Sequence, residues 1–158
     1  MYKRVLVPVD GSEPAESVLR FVADIAGPLN MTIVLLRVIQ PMPLASPNTP
    51  NDVILDDIAY RRRDAEGYLA PIATALRARG IEATSMVRAG RADEEILAAA
   101  NAAAVDLIAM STHGRTGFSR LLFGSVAEQV LRHADVPVFM MRHTEGRGTV
   151  PPITEGRR

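Results

Sequence analysis

The sequence contains no cysteine and no tryptophan, and its only lysine is Lys3. Without cysteine the chain can form neither disulfide bridges nor thiolate metal sites. The single lysine excludes a P-loop, because that motif requires a lysine between its last glycine and a serine or threonine. It also excludes a phosphate-receiver domain, which needs an acidic pair after its first strand and a lysine after its fifth.

The sequence also lacks long apolar runs and any excess of charge. No run approaches the roughly 18 residues that a membrane-spanning helix requires, and no basic segment followed by an apolar one opens the chain. The 18 basic and 18 acidic residues balance to a formal net charge of zero. The basic residues are not concentrated in one segment, which argues against a nucleic acid partner. We therefore expect a cytoplasmic protein that binds neither membrane nor nucleic acid.

Five short apolar runs alternate with four helical patterns along the chain. The runs have the length and composition of strands buried on both faces. The helical patterns repeat apolar residues at every third or fourth position. This alternation predicts one α/β domain, an open and mostly parallel five-stranded sheet with helices on both faces. The predicted strands are 4–9, 31–39, 81–87, 105–110 and 136–142, and the predicted helices are 12–26, 53–79, 91–104 and one that starts near residue 125.

Several segments qualify this pattern. Residues 40–52 hold four prolines and no periodicity, which predicts a loop. Gly67 and Pro71 interrupt the pattern of 53–79 and predict a kink or a break in that helix. The alternating residues of 81–87 suit a strand near a sheet edge. The composition of 144–158 predicts a disordered tail, so the predicted domain covers residues 1–143.

The most informative stretch runs from Val105 to Ser125. An apolar strand is followed by a loop that contains Gly114 and Gly117, and then by Gly124 and Ser125 at the start of a helical pattern. A strand, a glycine-rich loop and a helix N-terminus together present backbone N–H groups to an anion. Alternatively, Gly124 supplies only turn geometry and Ser125 only caps the helix.

Asp10 directly follows the first strand and is the second candidate binding residue. In open parallel sheets, ligands bind beyond the carboxyl ends of the strands, where the strand order reverses. An aspartate after a strand is, taken alone, most often a turn or capping residue. Its pairing with the glycine-rich loop after the fourth strand favours a binding role.

The chain resembles the universal stress protein family over nearly all of residues 1–143. The resemblance lies in VLVPVDGSEPAESVL at the first strand and helix, in LLRVI at the second strand, and in VRAGRADEEIL at the third strand and its helix. It continues through DLIAMSTHGRTGFSRLLFGSVAEQVLRHADVPVFMMR in the C-terminal half. The resemblance implies a Rossmann-like sheet of strand order 3-2-1-4-5, in which the order reverses between strands one and four.

The nucleotide-binding branch of that family carries a glycine, two residues, a glycine, nine residues, and then a glycine followed by serine or threonine. Here Gly114 matches the second glycine, Gly124 and Ser125 close the motif, and Ser111 replaces the first glycine. The resemblance implies ATP with Mg²⁺ or Mn²⁺, the ribose at Asp10, the adenine at Val38 and the phosphates around Gly114, Gly124 and Ser125. The predicted ATP-binding residues are Pro8, Asp10, Val38, Met110, Ser111, Gly114, Arg115, Gly117, Gly124, Ser125 and Val126.

The three histidines form no catalytic set with a nucleophile. We interpret His113 as a hydrogen-bonding loop residue, His133 as structural at a helix C-terminus and His143 as exposed. We therefore predict an ATP-binding stress-response regulator, without catalytic residues or a protein metal site, that dimerises through its last strand, from Val136 to Met141. The alternatives are a nucleotide-free dimeric module that binds an unidentified protein partner, and a slow ATPase or self-phosphorylating protein.

Overall fold

The computed structural model describes residues 2–40, 50–113 and 124–143, without the side chains of residues 112, 113 and 143. Most of the predicted loop at 40–52, the glycine-rich loop from Gly114 and the tail from Thr144 lie outside these residues. The domain boundary at residue 143 therefore stays a prediction. Five strands and four helices alternate: β1 Arg4–Pro8, α1 Glu13–Ala26, β2 Thr32–Ile39, α2 Asn51–Ala78, β3 Ala83–Ala89, α3 Ala92–Ala102, β4 Leu107–His113, α4 Ser125–His133 and β5 Val138–His143.

The strands form one parallel sheet in the order β3-β2-β1-β4-β5, which confirms the predicted fold. β1 pairs with β2 from Arg4 opposite Thr32 to Pro8 opposite Leu36. Its other neighbour is β4, to which it pairs at Val5 and Leu6. The strand order therefore reverses between β1 and β4, and ligands of such sheets bind beyond the carboxyl ends at that point.

The sheet separates two apolar cores. Val5 and Val7 of β1 pack with α1 and α2, whereas Leu6 packs with α3 and α4. All three side chains are 0% exposed, which explains why the strand sequence is apolar at consecutive positions rather than alternate ones.

Helix α2 differs from its prediction because it begins at Asn51 and continues through Pro71 without a break. Of the predicted kink or break, the break was wrong. Pro71 cannot donate to the carbonyl of Gly67, but both residues are exposed, so water can reach that carbonyl. Buried Leu69 and Ile72 hold this part of the helix on the sheet. Among the described residues, no helix is both long and apolar enough to cross a bilayer.

Asp106 ties the amino ends of β1 and β4 together. It precedes β4, and its carboxylate accepts hydrogen bonds from the backbone N–H of Lys3 at 2.8 Å and of Arg4 at 3.1 Å. A polar residue at the start of an otherwise apolar run thus satisfies two backbone donors at the end of a neighbouring strand.

The two edges of the sheet have different surroundings. β3 is an edge strand, as predicted, and Arg77 of α2 donates to the outward carbonyl of Ala83 from Nε at 3.0 Å and Nη2 at 2.7 Å. Arg62 of the same helix donates to the carbonyl of Val87 at 3.5 Å. At the other edge, the ring of Phe139 in β5 stacks on Phe21 of α1 with centroids 5.2 Å apart.

Candidate functional site

A cavity of about 440 Å³ lies beyond the carboxyl ends of β1, β2 and β4, at the reversal of strand order. Pockets that hold small molecules typically enclose about 300–1,000 Å³. Its walls come from the ends of these strands and from the first turns of α1, α3 and α4. The lining residues are Pro8, Val9, Asp10, Ala15, Leu36, Val38, Gln40, Ala92, Ile96, Met110, Ser111, Gly124, Ser125, Val126 and Ala127.

The cavity brings together every predicted binding residue that the structure describes. These are Pro8, Asp10, Val38, Met110, Ser111, Gly124, Ser125 and Val126. The other predicted residues, Gly114, Arg115 and Gly117, lie outside the described residues.

Part of the lining was missed by the sequence analysis. Ala92 and Ile96 of α3 and Gln40 after β2 contribute to the wall. A signal for α3 was present, because a helix that follows a parallel strand begins at the carboxyl edge of the sheet, where the ligand is expected. Small and apolar residues such as Ala92 do not by themselves indicate a binding site in a sequence.

The N-terminus of α4 presents backbone N–H groups to the cavity. Gly124 is the N-cap residue, and no side chain caps the helix. The first amide of this turn with a backbone partner is that of Glu128, which donates to the carbonyl of Gly124 at 2.9 Å. Among the described residues, the amides of Ser125, Val126 and Ala127 have no hydrogen-bond acceptor, as expected for a helix start that can bind an anion.

At the other two helix N-termini near the cavity, other groups of the chain already accept from the backbone N–H groups or offset the helix dipole. At α1, the Ser12 hydroxyl accepts from the amide of Ala15 at 3.4 Å. At α3, the first turn carries Asp93, Glu94 and Glu95, whose negative charge offsets the helix dipole. α4 has one acidic residue in its first turn, Glu128, and this carboxylate is paired with Arg132 at 2.8 Å. Of these three helix starts, α4 is therefore the best suited to bind an anion.

Gly124 leaves open space at this helix start. A Cβ atom built on this residue meets no heavy atom of the described residues within 4 Å. Its backbone has φ −55° and ψ 150°, which any residue can adopt. The protein fold therefore does not require glycine here, and the missing side chain keeps the amides of α4 accessible.

Asp10 contributes an ionised carboxylate to the cavity. Its Oδ1 accepts from the backbone N–H of Ser12 at 2.9 Å, and the Ser12 hydroxyl lies close to the same carboxylate. Partial burial alone raises the pKa of Asp10, but hydrogen bonds from the Ser12 side chain and backbone, together with the Arg37 guanidinium, outweigh it and lower the pKa below its usual value.

The end of β2 offers free backbone groups beside an apolar wall. Even-numbered residues of β2 bond to β1, and the last such bond runs from the Val9 amide to the Leu36 carbonyl at 2.8 Å. Val38 is next in this series, and β1 has ended by then. Its N–H and C=O therefore face the cavity side without a backbone partner among the described residues.

The described residues hold no cluster of three or more histidine or acidic side chains that could bind a metal ion. The His113 side chain and most of the glycine-rich loop lie outside them. The described part of the site combines an apolar slot, one carboxylate and a helix N-terminus. It suits a ligand with a flat apolar part, hydroxyl groups and an anionic part.

Comparisons with known proteins agree with this geometry. A sequence model of the universal stress protein family matches residues 1–142. Universal stress protein MJ0577 of Methanocaldococcus jannaschii is 27% identical over 155 residues, covering 90% of this chain and 96% of that protein. The solved structure of MJ0577 has a TM-score of 0.79 at 28% identity and covers 92% of this chain and 99% of that chain. A universal stress protein from Archaeoglobus fulgidus, solved in complex with dAMP, has a TM-score of 0.59 at 23% identity, covers 88% and 97% of the two chains, and shows likeness of fold alone.

Proposed function

Because the chain belongs to the universal stress protein family, we propose that it binds ATP in the cavity between β1 and β4 and acts as a regulatory protein of the stress response. The observation that carries this proposal is the uncapped N-terminus of α4, which lines the same cavity as Asp10 and Val38. An anionic ligand with a sugar and a base matches all three features.

The phosphates lie at α4 in this proposal. Amides of Ser125 and Val126 donate to phosphate oxygens, and the helix dipole adds favourable charge. The Ser125 hydroxyl supplies a further donor. Gly114, Arg115 and Gly117 complete the phosphate site, although they lie outside the described residues.

The adenosine part fills the remainder of the cavity. The base lies between the apolar side chains of Val38, Met110 and Ile96, and its polar edge meets the free backbone groups of Val38. The ribose hydroxyls donate to Oδ2 of Asp10. Ser111 provides a hydroxyl near the sugar or phosphate, where the related nucleotide-binding proteins have glycine.

A divalent ion accompanies the triphosphate in this proposal. Asp10 is the one acidic residue among the described lining residues, so the phosphate oxygens and water hold most of the coordination positions of Mg²⁺ or Mn²⁺, as is common for Mg²⁺ in nucleotide sites. The ion neutralises phosphate charge, and the protein contributes chiefly the α4 amides. The Archaeoglobus fulgidus protein of the same fold was solved in complex with an adenine nucleotide, dAMP.

The regulatory unit is a cytoplasmic homodimer in our proposal. β5 is the last strand of the sheet, and Val138, Phe139, Met140 and Met141 form a half-buried apolar row along it. Bare apolar edge strands favour association with another chain. Phe21, which stacks on Phe139, is 42% exposed and extends this apolar surface onto α1.

Isothermal titration calorimetry of the unmodified protein with ATP and Mg²⁺ tests the proposal. We expect saturable binding of one ATP per chain, and an adenine absorbance spectrum if nucleotide co-purifies, because the chain has no tryptophan and few tyrosines. Absence of both binding heat and co-purified nucleotide contradicts the proposal and favours the nucleotide-free interaction module. ATP turnover on the order of 1 per second or faster, the usual range of enzymes, contradicts the regulatory role.

A further inference from the structure

The first turn of α3 forms one wall of the cavity, but apolar packing does little to hold it there. Ala92 and Ile96 line the cavity. The buried residues of the helix are Ile96, Ala99 and Ala100, and all three follow the first turn. Within the described residues, no side chain caps this helix at its N-cap residue, Arg91. The position of the turn must therefore depend on other contacts.

An ion pair ties this turn to the sheet. Nε of Arg88, near the end of β3, donates to Oε2 of Glu95 in α3. The two side chains are 34% and 22% exposed, so water only partly screens the pair. The other ion pairs of the turn are local, because Arg91 bonds to Asp93 and Glu94 on the same helix. In the described part of the chain, Glu95 is thus the one residue of this turn whose side chain bonds to the sheet.

Gly90 provides the space in which the Glu95 side chain lies. A Cβ atom built on Gly90 would lie 2.8 Å from Oε1 and 3.0 Å from Cγ of Glu95, closer than real Cβ contacts. Its φ of +152° is also a conformation that residues with a side chain rarely adopt. The Gly90 amide donates to the carbonyl of Ile39 at 3.0 Å. The backbone turn and the Glu95 carboxylate therefore pack together and are bonded to the ends of both β2 and β3.

The ion pair lies directly beside the residues that we propose to hold the base. Arg88 is opposite Val38 in the pairing of β3 with β2, and Glu95 directly precedes Ile96 in α3. Val38 and Ile96 line the cavity, whereas neither Arg88 nor Glu95 is among the described lining residues. The pair can therefore influence a ligand only by placing the residues that contact it.

We infer that Arg88 and Glu95 are positioning residues for the base. By bonding the first turn of α3 to β3, they keep Ala92 and Ile96 at the separation from Val38 that a flat ring requires. The inference rests on the proposed function, because it takes the base to lie between these residues. Partly exposed ion pairs contribute little to global stability, so loss of this pair should affect the cavity wall more than the fold.

The first test is calorimetry with adenosine and, separately, with inorganic tripolyphosphate, which has no base. Without the ion pair, adenosine must itself order the turn, so Arg88→Met is expected to weaken it about 2- to 10-fold, the scale of one hydrogen bond. Tripolyphosphate, which binds at α4 in our proposal, should bind as before. Glu95→Ala should have the same effect, and the double variant should lose no more than either single variant. Arg79→Met is the matched control, since it removes an ion pair with Asp24 that joins α2 to α1 at 2.8 Å.

The second test is amide hydrogen exchange in the ligand-free protein. The reporters are the amide of Gly90, bonded to Ile39, and that of Glu95, which donates to the carbonyl of Arg91 at 2.9 Å. Both should exchange faster in Arg88→Met than in the native protein, and saturating adenosine should restore their protection. Arg79→Met should leave both rates unchanged.

Four results overturn the inference: unchanged adenosine affinity in Arg88→Met, equal losses for adenosine and tripolyphosphate, additive losses in the double variant, or a large fall in the thermal midpoint. Equal losses or a large fall indicate a merely structural ion pair. If Arg88→Met does not fold, Arg88→Gln is measured in the same way. Failure of the unmodified protein to bind adenosine contradicts the proposed function instead, and hydrogen exchange still decides whether the pair holds the turn.

Discussion

At the scale of single residues, Gly124 has no side chain that could block the approach of a phosphate to the amides of α4. Gly124→Val is expected to weaken ATP binding about 10- to 100-fold, because the new methyl groups block approach to amides that each contribute about 1.5–3 kcal/mol to a charged oxygen. Adenosine has no phosphate and should bind nearly as before. Calorimetry with both ligands measures the difference.

We expect the fold to tolerate this change, since a Cβ on Gly124 meets no heavy atom within 4 Å in the described part of the chain. Gly67→Ala is the control, because Gly67 also has open space around it but lies outside the cavity. Ser125→Ala provides a graded comparison and should cost one hydrogen bond, about 0.5–1.5 kcal/mol, or up to ~3 kcal/mol to a charged oxygen. Equal losses of ATP and adenosine in Gly124→Val argue against phosphates at this helix.

Tyr68 predicts a loss of stability in alkaline solution. Burial, together with the negative charge and hydrogen bond of Glu16, raises the pKa of Tyr68 to about 12, from an ordinary value of 10.0. A folded-state pKa above the unfolded one means that the unfolded chain releases its proton first as the pH rises. The associated stability is present below pH 10 and is lost as the pH rises from 10 towards 12.

Urea unfolding at a series of pH values measures this contribution. The free energy of unfolding of the native protein should fall between pH 10 and 12 more steeply than that of Tyr68→Phe, which cannot ionise. Tyr60→Phe is the control, because its ring is 71% exposed. Parallel curves for the native protein and Tyr68→Phe contradict the prediction.

Residues differ in how far the sequence alone reveals their roles. Asp10 could be predicted as a site residue because it directly follows a strand whose apolar composition is evident, and Val38 because the chain resembles the universal stress protein family. The contact between Arg37 and Tyr68 could not, because the two residues lie on different elements and meet only when α2 packs on the sheet. The role of Asp106 could not be predicted from the sequence either, because its partners, the amides of Lys3 and Arg4, are about one hundred positions away.

At the scale of elements, strands were predicted more accurately than the longest helix. Consecutive apolar residues mark strands such as β1 and β2 that are buried on both faces, and alternating residues mark the edge strand β3. All five predicted runs form strands. In α2, the sequence at Gly67 and Pro71 favours a break, but burial of Leu69, Ile72 and Leu76 outweighs one missing hydrogen bond. Local propensity was overridden by packing that single-sequence patterns do not quantify.

Pro71→Ala should therefore stabilise the protein. The substitution restores an N–H donor to the Gly67 carbonyl within α2 and removes a ring that crowds that carbonyl. We expect the free energy of unfolding to increase by about 1–3 kcal/mol, measured by urea denaturation. Ala70→Ser, at the neighbouring exposed position, serves as the control for a surface change on the same turn. Unchanged or lower stability in Pro71→Ala contradicts this account.

At the scale of the whole molecule, β5 is the edge of the sheet through which we propose that two copies associate. Met140→Asp should give monomers on a sizing column with light scattering, because a charge in the apolar row of β5 opposes its burial against a second copy. Leu29→Asp is the matched control, since Leu29 is 45% exposed and lies outside β5. Circular dichroism checks that both variants fold. A native protein that already elutes as a monomer contradicts the proposed dimer.

The arginines along β3 have a consequence for how large an assembly can grow. A sheet with two unprotected edge strands can pair with a further copy at each edge, so that copies add without limit, as in a filament. Arg77 and Arg62 already donate to two outward carbonyls of β3, which disfavours pairing of that edge with a further chain. In the proposed dimer, each copy then uses β5 as its one favourable edge, and we expect association to stop at two copies.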